Sequence, residues 1–395
     1  MRPPISRVRK RALATSFAIA CRETFLKRAA SAWVIQSAGS IILGFIWVDV
    51  VNVFCATFKM LHASSGQHSP RMNKILDAPQ PSLFAPAFTH PRGLMRDVEP
   101  FYQTASGAAY LGDSRELLKA LPDGSVNLAF TSPPYALHFK KEYGNVSKAE
   151  YVEWFLPFAR EVHRVLTDDG SFVLNIGGSW NQGTPTRSLY HYKLMIALVE
   201  DLGFHLAQEC YWYNPAKLPA PAEWVTVRRV RIKDSVEHVW WLSKTPFPKA
   251  DNRRVLKPYS ADMLRLAQRG VRAAVRPSGH NITSSFDKIE SGGSIPSNVV
   301  EDQIANEMLI AGNNSANDIY TMRCKESGIK IHPARFPAAL PEFFTKLLTD
   351  DGDLVLDPFA GSNTAGAVAE RLGRRWVAME LLDEYLEASK FRFGQ

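Results

Sequence analysis

Thr131-Ser132-Pro133-Pro134-Tyr135 follows the apolar run of residues 126–130. The run is β-compatible and stops abruptly, because neither proline donates to a ladder and each restricts the residue before it. It reads as a buried strand with a stiff polar turn at its carboxyl end. Ligands of open α/β sheets bind at that end of the strands, and a polar-Pro-Pro-aromatic corner suits a planar substrate. The Ser132 hydroxyl and the Pro133 carbonyl are two acceptors that could take both hydrogens of an exocyclic amino group. Such an amine is a poor nucleophile, since its lone pair is delocalised into the ring. Holding its hydrogens localises the pair on the nitrogen for attack on an electrophile, and Tyr135 would stack on the planar ring. A proline-rich surface turn fits these five residues equally well, so the rest of the chain must decide.

A second constellation lies near the carboxyl end. Leu354-Val355-Leu356-Asp357-Pro358-Phe359-Ala360-Gly361-Ser362-Asn363-Thr364-Ala365-Gly366 is an apolar strand, a tight small-residue turn and a helix start. Such a turn aims backbone N–H groups and a helix terminus at a ligand, but without G-x-G-x-x-G it is a poor dinucleotide site. Nineteen residues after Gly361, the strand 375–379 delivers Glu380, placed to accept from ribose hydroxyls. His332-Pro333-Ala334-Arg335-Phe336-Pro337 opens a helix over 338–348. A short strand, 108–111, ends in Gly112-Asp113. Asp113 is placed either to accept from an adenine amino group or ribose, or to cap the helix that follows.

These stretches carry a family resemblance. T-S-P-P-Y resembles motif IV of the amino-group DNA methyltransferases, and its serine is most similar to the N4-cytosine enzymes. D-P-F-A-G-S-N-T-A-G resembles motif I of the same family, H-P-A-R-F-P resembles motif X, and the family commonly has the G-D pair. The resemblance covers about residues 105–250 and 330–395. It implies S-adenosylmethionine as cofactor, Ser132, Pro133, Pro134 and Tyr135 as catalytic residues, and Asp113, His332, Arg335, Phe336, Asp357, Pro358, Phe359, Gly361, Ser362, Thr364 and Glu380 as cofactor-binding residues. It implies an α/β fold, the seven-stranded Rossmann-like class I methyltransferase sheet, here circularly permuted because the catalytic half precedes the cofactor half. The expected activity is site-specific methylation of cytosine N4 in duplex DNA with the target base flipped out. The setting is a restriction-modification system whose endonuclease is a partner in function only. N6-adenine methylation on the same scaffold is the nearest rival; an inactive DNA-binding regulator is a rival of another class.

The elements that must position these groups follow in order. Strands are expected near residues 109, 128, 173, 208, 239, 355 and 377, with the pair near 208 and 239 antiparallel. Ser147-Lys148-Ala149-Glu150 reads as a capping box. It precedes a helix whose Tyr151, Trp154, Phe155, Phe158, Val162, Val165 and Leu166 recur at helical spacing, with Pro157 inside and Asp168-Asp169-Gly170 after it. The glycine-rich segment 177–186 forms a loop on the catalytic edge. Arg228, Arg229, Arg231 and Lys233 precede the strand near 239 and fit a solvated loop or a phosphate contact.

Composition adds bounds. The 395 residues are 46% hydrophobic and 22% charged, which is globular. Cys21, Cys55, Cys210 and Cys324 have no C-x-x-C spacing, so neither a metal cluster nor a disulfide framework is expected, and a reducing cytoplasm fits. The net charge of +8 resides in residues 1–71, where ten Lys and Arg face Glu23 and Asp49. Global charge is therefore no evidence of nucleic-acid binding. Residues 33–58 are long and apolar but hold Gln36, Asp49 and Asn52. A membrane anchor, a targeting peptide and translated upstream DNA before a start at Met60, Met72 or Met95 compete; the last is the expectation, because a neutral, self-sufficient catalytic chain follows. The expected domains are an extension and linker over 1–95, a catalytic half over 96–252, a target-recognition insert over 253–328 and a cofactor half over 329–395. Basic Arg253, Arg254, Lys257, Arg265 and Arg269 open the insert and are its expected DNA contacts, with Arg272 and Arg276 continuing the run.

Overall fold

Among the described residues, nine strands make one sheet, and the apolar runs of the sequence form its centre. In chain order they are β1 (Tyr102–Gln103), β2 (Gly107–Leu111), β3 (Val126–Thr131), β4 (Leu166–Ile176), β5 (His205–Tyr213) and β6 (Val236–Ser243). A separate two-stranded pair, β7 (Ala274–Val275) and β8 (Asn281–Ile282), precedes β9 (Val299–Glu301), β10 (Leu354–Asp357) and β11 (Arg375–Glu380). The order across the sheet is β1-β2-β11-β10-β3-β4-β6-β5-β9. From β2 to β4 the neighbours are parallel, and β6 lies antiparallel between β4 and β5.

The structure is a computed structural model that describes residues 89–136, 146–270, 274, 275, 277, 279, 281, 282, 292–301 and 318–395. These fall within the compact unit Ala85–Gln395. The apolar stretch 33–58, Met60, Met72, Arg272 and Arg276 lie outside the described residues. Among the described residues, no helix is long and apolar enough to cross a membrane, and no group of three metal-ligating side chains gathers.

All seven expected strands are present, and two short ones extend the sheet. β1 pairs antiparallel with β2, and β9 pairs parallel with β5. Strands of two and three residues are too short to show a period of two and so leave no pattern to read. β4 begins at Leu166, ahead of the Asp168-Asp169-Gly170 segment expected to follow the helix, because those residues bulge within the strand: Val126 pairs with Leu166 and Leu128 already with Ser171.

Helices cover both faces of the sheet. They are α1 (Ser114–Leu117), α2 (Tyr151–Val165), α3 (Tyr190–Glu200), α4 (Ala261–Arg269), α5 (Ile319–Ser327), α6 (Ala339–Leu348), α7 (Thr364–Arg371) and α8 (Asp383–Ser389). Alternate strand residues face opposite sides. Leu354 and Leu356 of β10 and Val377 and Met379 of β11 share one core with Phe155 and Val162 of α2 and Leu194 of α3. Val355, Trp376 and Ala378 share the other with Leu340 and Phe344 of α6 and Ala369 of α7. Each such large apolar side chain contributes about 1.5–3 kcal/mol on burial.

Three boundaries move. Met95, expected in the linker, is buried in the first core, and His90 Nε2 bonds the Thr104 carbonyl at 3.0 Å. Ser147 Oγ accepts from the Glu150 N–H at 3.3 Å and donates to its carboxylate, which closes a turn just ahead of α2; the capping position itself is Glu150. The expected insert is built into the body at both ends. Arg254 pairs with Asp350, β9 joins the sheet, and Tyr320 and Cys324 of α5 pack on Ala388.

His191 on α3 is fully buried, its ring parallel to Trp240 and 5.0 Å from that of His238. Neither of its nitrogens has a hydrogen-bond partner among the described residues, and burial pulls its pKa down to about 4. The unfolded chain binds this proton near pH 6.5 and the native state does not, so its share of stability is full above about 6.5 and falls toward pH 4. His191→Phe should flatten the decline in melting temperature between pH 7 and 4.5, recovering roughly 2–3 kcal/mol at the acid end. An unchanged decline would show that His191 does not carry it.

Candidate active site

β3 ends at Thr131, and the two prolines turn the chain out of the sheet with Ser132 and Tyr135 aimed inward. The Pro134 carbonyl accepts from the Tyr151 hydroxyl of α2 at 2.8 Å, which fixes the turn to the helix behind it. The Tyr135 ring packs against Gly177, where any Cβ would meet it at 2.5 Å. Its hydroxyl donates to Glu237 Oε2 at 2.8 Å, and Lys217 Nζ donates to Glu237 Oε1 at 3.0 Å. Asn175 Nδ2 reaches both Ser132 Oγ, at 3.3 Å, and the Tyr135 oxygen, at 3.1 Å. Ser132 Oγ and the Tyr135 oxygen are 3.2 Å apart. Burial, then the Glu237 charge, holds the Tyr135 phenol well above its usual pKa, so it stays protonated.

β10 pairs parallel with β3, so its carboxyl end opens beside the same corner. There the chain turns through Gly361 at φ +52°, a conformation that favours glycine; a Cβ would strike His332 Nε2 at 2.9 Å. Asn363, also left-handed, caps α7 by accepting from the Gly366 N–H at 3.1 Å. The Glu380 carboxylate gathers the N–H groups of Gly361, Leu381 and Leu382 at 2.8–3.1 Å. Burial raises its pKa while these bonds lower it.

Both turns open onto one cavity of about 430 Å³. Ser132, Pro133, Pro134 and Tyr135 line it, together with Asp113, His332, Arg335, Phe336, Pro358, Phe359, Gly361, Ser362, Thr364 and Glu380. Burial brings the His332 imidazole down to about 4, so it is neutral at pH 7; it stands edge-on to Tyr385. Arg335 is buried, donates to Asp318 at 3.2 Å and lies over the Tyr320 ring. Phe336 packs edge-on against Phe130 at 5.3 Å. Trp154, Phe158 and Phe359 form an aromatic wall, with Phe158 and Phe359 4.9 Å apart.

One expected cofactor ligand lies away from the cavity, and a second lines it while also capping a helix. Asp357 does not line the cavity. It is fully buried behind it, accepts from Thr131 Oγ1 at 2.7 Å and the Phe359 N–H at 3.1 Å, and burial pushes its pKa to about 7. Asp113 lines the cavity and also caps α1, accepting from the Arg115 N–H and guanidinium, which holds it below its usual pKa.

The basic run opening the insert lies elsewhere. β6 begins at the catalytic edge and ends at the opposite one, as His238 pairs with Ile176 and Ser243 with Ser171. The chain after it starts from the wrong end of the sheet. Arg253 pairs with Asp251, and Arg254 with Asp350 just before β10. Lys257 exchanges backbone hydrogen bonds with Ser294, Arg265 pairs with Asp262 on α4, and Arg269 is exposed at that helix's end. The β5–β6 connection is the segment at the catalytic edge, with Arg228, Arg229 and Lys233 exposed. Beside it Trp180 is flanked by Arg231 at 3.8 Å and Arg187 at 5.1 Å.

Sequence reasoning missed Asn175, Glu237 and Lys217. The first two carried a signal: Asn175 follows the apolar run of residues 172–174, and Glu237 stands near the start of a largely apolar strand, both at the catalytic-edge end. Lys217 carried none.

Comparison with known proteins bears on the family. The family model for DNA methylase matches residues 126–391. The type II methyltransferase M.PvuII of Proteus hauseri is 49% identical over 298 residues, 75% of this chain and 86% of that protein. M.ScaI of Streptomyces caespitosus is 27% identical over 73% of this chain and 82% of its own. The solved PvuII DNA methyltransferase, described as cytosine-N4-specific, superposes with a TM-score of 0.59 at 44% identity, covering 75% of this chain and 89% of that one. A family match across most of the folded chain, and a relative of which it spans nearly the whole, leave one conclusion: the chain belongs to the DNA methylase family.

Proposed function

We infer that the protein is a restriction-modification DNA methyltransferase that moves a methyl group from S-adenosylmethionine to the N4 amino group of cytosine in duplex DNA. The observation that carries this reading is the single cavity shared by the serine-proline corner and the glycine turn. The relative M.PvuII and the solved cytosine-N4-specific PvuII enzyme support cytosine as the base.

The cavity's donor set fits the cofactor. Glu380 offers a carboxylate to ribose hydroxyls, Gly361 leaves a cradle that a Cβ would fill, and the aromatic wall gives an apolar face. Buried Arg335, whose Nε has no hydrogen-bond partner among the described residues, supplies a cation for the amino-acid carboxylate. When bound, the cofactor supplies an electrophilic sulfonium methyl. Ser132 and the Pro133 carbonyl hold the two amino hydrogens and direct the nitrogen lone pair into the cavity. Tyr135 packs against the flipped base, and the walls exclude water from the reacting nitrogen. No covalent cysteine step is needed: Cys210 and Cys324 are buried and do not line the cavity. Methylation of host DNA places the protein in the cytoplasm, with a cognate endonuclease acting on the same sequence. For DNA, Arg229, Arg231 and Lys233 at the catalytic edge are the phosphate contacts, with Arg228 paired to Glu223 beside them, in preference to Arg253 and Arg254 at the other end of the sheet.

Three outcomes are expected. Nucleosides from DNA methylated by the protein should contain N4-methylcytosine by mass spectrometry; N6-methyladenine in its place would move the assignment to the other base. Ser132→Ala should lower kcat by about 100- to 1000-fold with little change in cofactor Kd, whereas Glu380→Ala should raise the cofactor Kd first; the reverse pattern refutes the roles given. Arg229→Ala should weaken DNA binding and reduce the slope of log K against log salt by about 1, with Arg253→Ala unchanged; equal effects would remove the β5–β6 connection as the DNA-facing segment.

A further inference from the structure

We propose that Glu237, anchored by Lys217, is a positioning residue that sets the direction of the hydrogen-bond chain through Tyr135, so that Ser132 meets the target amine as a pure acceptor. The proposal rests on the function inferred above and deepens it. Each hydroxyl has one proton to give. A carboxylate only accepts, and Lys217 Nζ already donates to Glu237 Oε1 at 3.0 Å, which leaves Oε2 to Tyr135. Tyr135 therefore spends its proton on Glu237 at 2.8 Å. With that proton gone, the contact between Ser132 Oγ and the Tyr135 oxygen at 3.2 Å is formed only with Ser132 as donor. Asn175 Nδ2 donates to both oxygens, which is compatible with this sense and occupies a second lone pair on each. Ser132 is left with its proton turned inward and a lone pair facing the cavity that it lines.

The direction matters because the alternative is repulsive. A hydroxyl proton pointed at the amine would face the amino hydrogens and leave the nitrogen lone pair in the ring. Glu237 is buried, lies 105 positions after Ser132 and lines the cavity, so its charge is aimed at the site rather than at solvent. It acts through Tyr135 and Ser132, not by touching the methyl donor.

The test uses a change of one atom. In Glu237→Gln, Lys217 claims the amide oxygen, which turns the NH2 group onto Tyr135; the Tyr135 proton is then driven to Ser132, and the Ser132 proton outward. Adding Lys217→Met frees the amide to rotate and present its oxygen to Tyr135, restoring the original sense. With the full-length protein, duplex DNA and methyl-labelled S-adenosylmethionine, E237Q should lose roughly 100-fold in kcat. The double variant K217M/E237Q should recover at least tenfold of that, and cofactor Kd should stay within about twofold in both. Wild-type kcat in E237Q, or a double variant no faster than the single one, overturns the proposal. A wild-type protein that transfers no methyl to DNA would instead overturn the functional reading on which it rests.

Discussion

The parallel pairing of β3 with β10 is the constraint on which the rest depends. Val355 lies beside Leu128 and Leu356 beside Ala129, so two strands far apart in the chain end side by side. One continues into the serine-proline corner and the other into the glycine turn. The Thr131 hydroxyl bonded to Asp357 Oδ1 ties the last residues of the two strands together inside the core. Parallel neighbours cannot be joined by a tight turn, and here the connection is long enough to hold half of the sheet. Circular permutation costs nothing at the site, because strand adjacency and not chain order brings the two turns together.

The polar groups at this edge are there for function at the expense of stability. Asp357 Oδ2 and Asn175 Oδ1 are buried without a hydrogen-bond partner among the described residues, and each such acceptor costs about 1–3 kcal/mol. The large aromatic cores on both faces offset that cost. Burial also decides protonation: His332 is kept neutral, Asp357 is brought near neutrality, and the Tyr135 phenol is kept from ionising.

Much of this was legible in the sequence, and the parts that were not share a cause. The strand ahead of Ser132 and the turn after Asp357 were readable because their signals are local: apolar runs, a proline pair, a cluster of small residues. The edge strands β1 and β9 were hidden by their length. Asp357 was read as a ligand because a motif records which residues occur, not which way they face; its side chain points to Thr131 instead of the cavity. The basic run from Arg253 looks different in space than in sequence: its first two members, Arg253 and Arg254, face Asp251 and Asp350 at the far end of the sheet. Glu237 and Lys217 meet only because β6 runs antiparallel and returns its first residues to the catalytic edge.

The decisive measurement is a crystal structure with S-adenosylmethionine bound. The cofactor is expected between Glu380 and Arg335 in the shared cavity, with its sulfonium methyl facing Ser132 across a gap the width of one planar base. A cofactor bound outside this cavity, or one whose methyl group points away from Ser132, would contradict it.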